Sequence, residues 1–183
     1  DARARFWTPL LRPLVDALYG EVADTDELLE RLVERSRSAA QQRRAPLRAL
    51  DIERETDPAW FQRSSMVGYV AYADLFAGDL PGIRQHIGYL DELGVTYLHL
   101  MPPYLCPQPH NDGGYAVSSY RETDPRLGNM DELRTLCAKL RKAGISLVLD
   151  FVFNHTSDEH AWAQAARAGD PTYSAYYWMF PDR

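Results

Sequence analysis

The sequence predicts an α/β chain in which an all-helical N-terminal domain precedes the first three strands of a (β/α)8 TIM barrel. Three observations predict it. Residues from about 5 to 62 keep apolar side chains at helical spacing and show no strand-like alternation. From Ser64 onward, short β-branched and aromatic runs alternate with helical patterns, at crossover lengths that demand parallel pairing. The acidic, aromatic and imidazole side chains suited to chemistry gather where those strands end.

The first domain is assigned to residues 1–63. Within it, Leu28, Leu29, Leu32 and Val33 fall at helical spacing with charge on the other face. Asp24 or Thr25 is placed to cap that helix, with Glu27 set for a capping box. The opening part of the barrel is assigned to residues 64–155. The run Met66 to Phe76 reads as its first buried strand. Gly78-Asp79-Leu80-Pro81 makes a turn, and Pro81 suits the first turn of a helix. That helix carries Ile83, Ile87, Leu90 and Leu93 inward and ends at Gly94. Val95 to Met101 is the second strand, closed by Pro102-Pro103. A long loop follows from Tyr104 to about Leu127. A helix then runs from Met130 to Ala143 with Leu133, Leu136, Cys137 and Leu140 inward, and Ile145 to Phe153 is the third strand. Three parallel strands buried on both faces need further chain to complete either a doubly wound sheet or a barrel. A barrel takes about 250 residues, of which this pattern supplies under half.

The composition is that of a globular protein: 183 residues, 45% apolar and 25% charged, with a net charge of −6. The basic residues are scattered, so nucleic acid is not an expected partner. No apolar run approaches the roughly 20 residues that span a bilayer, so no membrane partner is expected. No signal-peptide pattern opens the chain, and a cytoplasmic location is expected, secretion remaining open. Asp1 stands where an initiator Met would, which predicts a processed or trimmed start. Cys106 lies in a Pro-rich loop and Cys137 in a helical pattern, and two free thiols are expected. Gly113-Gly114 lacks the frame of a dinucleotide or phosphate loop, and no Ser elbow occurs. His155 and His160 do not match a zinc helix, and His86, His99 and His110 are dispersed. No metal and no cofactor are expected.

Two clusters carry the chemistry. In Asn111-Asp112-Gly113-Gly114-Tyr115, two glycines let the backbone turn sharply between a carboxylate and an aromatic ring. Asp112 and Tyr115 offer a sugar both a hydroxyl acceptor and an apolar face; taken alone, the residues read more readily as an ordinary turn with a packed Tyr. In Asp150-Phe151-Val152-Phe153-Asn154-His155, strand alternation puts Asp150, Val152 and Asn154 on one side and Phe151, Phe153 and His155 on the other. Burying Asp150 is costly unless it is paired, which predicts an unseen Arg or Lys partner, one this sequence does not supply. His155 suits a hydrogen bond to a substrate hydroxyl, a metal, or a structural role.

With these residues the sequence resembles the α-amylase superfamily of glycoside hydrolases and transglycosylases. Asp150 to His155 resembles the signature at the end of its third barrel strand, Asp112 to Tyr115 the preceding loop, and Gly94 to Pro102 its second strand. Within the superfamily the likeness is nearest to the amylosucrase family, through Asp74 to Leu80, Asp112 to Arg121, Asp150 to Glu159 and the helical first domain. Residues 156–183 resemble the start of a domain inserted after the third strand.

The resemblance implies glucosyl transfer from sucrose to an α-1,4-glucan acceptor with release of fructose, by retaining double displacement. Retention uses two carboxyl groups about 5–5.5 Å apart. In the family these follow the fourth and fifth strands, so neither nucleophile nor acid/base falls in this sequence, and the 183 residues alone are expected to be inactive. What carries over is a pocket wall. The resemblance implies that Tyr115 stacks beneath the glucosyl ring in the −1 subsite, and that Asp112 closes the pocket with an arginine. It implies that His155 hydrogen-bonds a glucosyl hydroxyl in the transition state, that Asp150 holds an arginine, and that Asn154 anchors the inserted domain. A sucrose hydrolase, another α-glucan-active relative and a non-catalytic barrel protein are the alternatives. Oligomeric state is not legible.

Overall fold

A computed structural model describes residues 2–109 and 111–180; Asp1, His110 and the tail residues 181–183 lie outside the described residues. The chain divides into two compact units, Asp1–Trp60 and Phe61–Arg183.

In the first unit, helices α1 (Ala2–Tyr19), α2 (Thr25–Gln42) and α3 (Ala45–Thr56) follow one another. Asp24 starts α2 by accepting from the amides of Asp26 and Glu27 at 3.0 and 3.1 Å, which satisfies two of the orphan donors of a helix start. Leu29 is buried, whereas Leu32, expected to face inward beside it, is 46% exposed. The inward stripe of α2 is therefore narrower than its leucine spacing suggests. Arg12 pairs with Asp26 at 2.6 Å, tying α1 to α2, and Arg43 Nη2 meets Asp51 at 2.7 Å ahead of α3.

The second unit is built on a parallel sheet of β1 (Gly68–Ala71), β2 (Tyr97–Leu100) and β5 (Ser146–Leu149), in the order β1-β2-β5. Between the strands lie α4 (Ala73–Ala77), α5 (Leu80–Gln85), α6 (Ile87–Glu92) and α7 (Met130–Lys142). Leu98 and Leu100 point from β2 into a core with Leu80 and Ile83 of α5 and Leu136 and Leu140 of α7. All six are fully buried, each worth about 1.5–3 kcal/mol of apolar transfer. The register aligns Val70, His99 and Val148 across the other face, where Val70 and Val148 remain exposed. This is the face that a closed barrel turns inward.

Four expectations are corrected. The first strand ends at Ala71, not Phe76: residues 73–77 hold no β-branched side chain and form α4, closed by Gly78 at φ 82°. The single expected helix up to Gly94 is two, α5 and α6, meeting at His86 with φ −97° and ψ 6°. The long loop contains an antiparallel pair, β3 (Tyr104–Leu105) with β4 (Ser119–Thr123), interrupted by a bulge. The third strand ends at Leu149, not Phe153. Its last ladder bond runs from Asp150 N to Leu100 O at 3.0 Å, and Pro102-Pro103, which follow β2, have no N–H to extend it. Residues 151–155 are therefore irregular, followed by α8 (Ala161–Arg167) and α9 (Pro171–Ser174).

Candidate functional site

The site begins where β2 and β5 end. Asn111 sets the preceding turn: its side-chain amide donates to Pro107 O at 3.1 Å, and its Oδ1 accepts from Gly113 N and Gly114 N at 3.0 and 3.2 Å. Gly113 and Gly114 take φ of 77° and 92°, a region that side-chain-bearing residues avoid. A Cβ on Gly114 would stand 2.9 Å from Pro102 O, so the backbone there lies directly against the end of the second strand. That close approach delivers Tyr115 to the strand ends.

Tyr115 donates its hydroxyl to Asp150 Oδ2 at 2.6 Å, beside Met101 Sδ at 3.9 Å. That hydrogen bond, with burial and the negative charge of Asp150, pushes the phenol up to about 12. Among the described residues Asp150, which is half-buried, meets Tyr115; the Arg or Lys expected for it is not among its contacts there. Asp112 accepts from Ala116 N, and its Oδ2 lies 3.8 Å from His155 Nε2. The structure therefore hydrogen-bonds Tyr115 to Asp150 and brings Asp112 to 3.8 Å from His155. Asn154 is exposed and enters neither pair.

The 150–157 segment is stitched to the loop before it. Ser157 N donates to Val117 O at 2.9 Å, and Tyr120 donates to Val152 O at 2.7 Å, with His155 O at 3.3 Å. Val117, Val152 and Tyr104 form a small buried cluster beneath Tyr115 and Tyr120. Phe151 stacks on Tyr120 at 4.9 Å, and Phe153, 89% exposed, leans on Phe151 at 4.7 Å. The expected alternation survives for Val152, which is buried while its aromatic neighbours are exposed.

Behind Gly113-Gly114 lies a cavity of about 270 Å³ lined by Tyr72, Asp74, Met101, Asn111 and Arg126 among others. Asp124 is buried there, with Arg126 Nη2 at 2.6 Å from its Oδ2. Burial pushes that carboxyl up, but the hydrogen bonds and charge of Arg126 outweigh it and leave Asp124 below its ordinary value. Cys106 Sγ approaches the same carboxylate at 3.6 Å; burial, then Asp124, raise its thiol. Cys106 and Cys137 are both free. Sequence reasoning missed Tyr120, Asp124 and Arg126; the acid and base flanking Pro125 were the one local sign of the last two. Among the described residues no three His, Cys, Asp or Glu side chains are grouped to hold a metal ion. No described helix is long and apolar enough to cross a membrane.

An aromatic ring, two carboxylates and an imidazole at the C-terminal ends of parallel strands define a class of chain whose strand-end loops present groups suited to a polar, hydroxyl-bearing ligand. The family model for the α-amylase catalytic domain matches residues 54–183, and the chain belongs to that family. Among curated proteins it is 39% identical over 127 residues to trehalose-6-phosphate hydrolase of Escherichia coli (strain K12), covering 66% of this chain and 22% of that protein. It is 42% identical over 105 residues to glucan 1,6-alpha-glucosidase of Streptococcus dysgalactiae subsp. equisimilis, covering 57% and 19%. Among solved structures, trehalulose synthase MutB from Pseudomonas mesoacidophila MX-45 matches with a TM-score of 0.57 at 36% identity, covering 62% of this chain and 22% of that one. A MutB mutant in complex with the substrate sucrose matches with a TM-score of 0.58 at 35% identity, covering 66% and 22%. The chain spans about a fifth of the length of these relatives.

Proposed function

We propose that these residues form the donor-pocket wall of an amylosucrase: an enzyme that takes glucose from sucrose, releases fructose and extends an α-1,4-glucan with retention. The observation that carries this reading is the hydrogen bond from Tyr115 to Asp150, with Asp112 3.8 Å from His155, at the C-terminal ends of the parallel strands. The Tyr115 ring lies beneath the glucosyl ring, with its hydroxyl anchored on Asp150. Asp112 closes the pocket and takes glucosyl hydroxyls, with an arginine completing its partners. His155 donates to a glucosyl hydroxyl, most strongly when the ring flattens toward an oxocarbenium ion. Losing one such donor costs about 3 kcal/mol of transition-state stabilisation. Asp150 also holds an arginine near the nucleophile, and Asn154 anchors the inserted domain that residues 156–183 begin. The nucleophile and acid/base follow the fourth and fifth strands of the full-length protein.

Sucrose as donor is supported by the MutB mutant described as complexed with the substrate sucrose. A second reading, sucrose or α-glucoside hydrolysis, is favoured by the hydrolase and glucosidase names of the curated relatives. Both readings share the donor pocket and differ in the acceptor. Incubating the full-length protein with sucrose alone, and measuring fructose, glucose and iodine-staining glucan, separates them. Fructose well above glucose, with glucan formed, is the expected result. Equal fructose and glucose without glucan favours hydrolysis, and no fructose ends both sucrose readings.

A further inference from the structure

Residues 151–157 lie beyond the last strand bond, so nothing in the sheet ladder holds His155 in place. The side chain that does hold it is Tyr120. Its hydroxyl has one hydrogen to give and finds two acceptors, Val152 O at 2.7 Å and His155 O at 3.3 Å. Its ring is fixed from two sides, by Tyr104 at 5.5 Å and by Phe151, stacked at 4.9 Å. Tyr104 and Val152 are buried in the same small cluster, so the ring has a packed seat from which to aim the hydroxyl. Tyr120 sits on β4 while its acceptors follow β5, so one side chain bridges two segments far apart in sequence. His155 in turn faces Asp112 across 3.8 Å, a gap that a small rotation of its backbone would open or close.

We propose that Tyr120 is a positioning residue: it holds the backbone from Val152 to His155 so that the imidazole of His155 stays in register with Asp112. This rests on the reading of His155 as a donor-pocket residue. Burial, then Tyr177, push the Tyr120 phenol upward, so it stays a neutral donor across the working range of an enzyme. Tyr120→Phe keeps the ring stack and removes only the clamp.

The test is a double-mutant cycle in the full-length protein, with Tyr120→Phe, His155→Ala and the pair compared on sucrose, together with crystal structures of the parent and Tyr120→Phe. A displacement of about 1 Å at a contact group is enough to cost on the order of 100-fold. Tyr120→Phe is expected to lower kcat about 10-fold or more with KM little changed, and to lower it less than about 2-fold in the His155→Ala background. Equal losses in both backgrounds would mean that Tyr120 acts elsewhere and would overturn the proposal, as would no loss in the parent. The crystal structures are independent of substrate. A His155 ring unmoved by Tyr120→Phe overturns the proposal whatever the protein turns over. Absence of fructose release by the parent overturns the sucrose reading and leaves the displacement of His155 to decide the positioning role.

Discussion

At the scale of single residues, Tyr115 shows how one hydrogen bond sets a titration. Donation to Asp150 favours the neutral phenol in the folded state, so the folded value of about 12 stands above the ordinary 10.0. The resulting stabilisation is fully present below pH 10 and is lost as pH rises from about 10 toward 12. The phenolate difference spectrum between the parent and Tyr115→Phe is expected to show a tyrosine ionising near 12, returning toward 10 when Asp150→Asn removes the acceptor charge. A Tyr115 transition near 10 in the parent would contradict the geometry of that bond. Asp124 has the opposite sign: with its folded value below 3.8, its contribution is present above that pH and fades as pH falls through the folded value.

At the scale of elements, α7 has the most complete local specification. Asn129 accepts from Asp131 N and Glu132 N at 3.0 Å each, and Glu132 returns the contact to Asn129 N at 2.8 Å. Lys139, Arg141 and Lys142 lie in the last turn, where the helix dipole favours cations. Leu133, Leu136 and Leu140 face the sheet. Asn129→Ala is expected to destabilise the second unit by about 1 kcal/mol, read as a shift in denaturant midpoint with unchanged slope. An effect within a few tenths of that scale from zero would mean that tertiary packing, not the cap, fixes where α7 begins. The segment after β5 has the reverse character: beyond Asp150 no ladder holds it, and its contacts come from Tyr115, Tyr120 and Val117 in the loop before it and from Tyr177 after it.

At the scale of the whole molecule, the decisive feature is the sheet face bearing Val70, His99 and Val148. Val70 is 59% and Val148 40% exposed, while β1 and β5 leave parallel edges unpaired among the described residues. Unpaired edges and an apolar face invite pairing with other chains. The 183 residues produced by themselves are therefore expected to bind a hydrophobic dye and to self-associate at micromolar concentration, by fluorescence and sedimentation velocity. A monomeric species that ignores the dye and melts in one cooperative step would refute this. The same 183 residues are expected to release no fructose from sucrose, since the bond-breaking carboxylates of the proposed mechanism come from later strands.

Local sequence specifies the parallel strand–helix order, the inward leucines of α7, a cap at Asp24 or Thr25 and the clustering of Asp112, Tyr115, Asp150 and His155 at strand ends. Those features rest on local chemistry: side-chain period, capping oxygens and glycine turns act over a few residues and leave a readable trace. Where β1 stops was also written locally, in the absence of β-branched residues after Tyr72, though the aromatic run masked it. That β5 ends at Leu149 is set by packing, because it depends on prolines just after β2, some fifty positions earlier, that offer it no further N–H. The same holds for the short β3–β4 pair, the tyrosine partner of Asp150 and the grip of Tyr120 on the His155 backbone. Each joins groups distant along the chain, and a contact of that kind is fixed by how the elements pack, which no window of sequence contains.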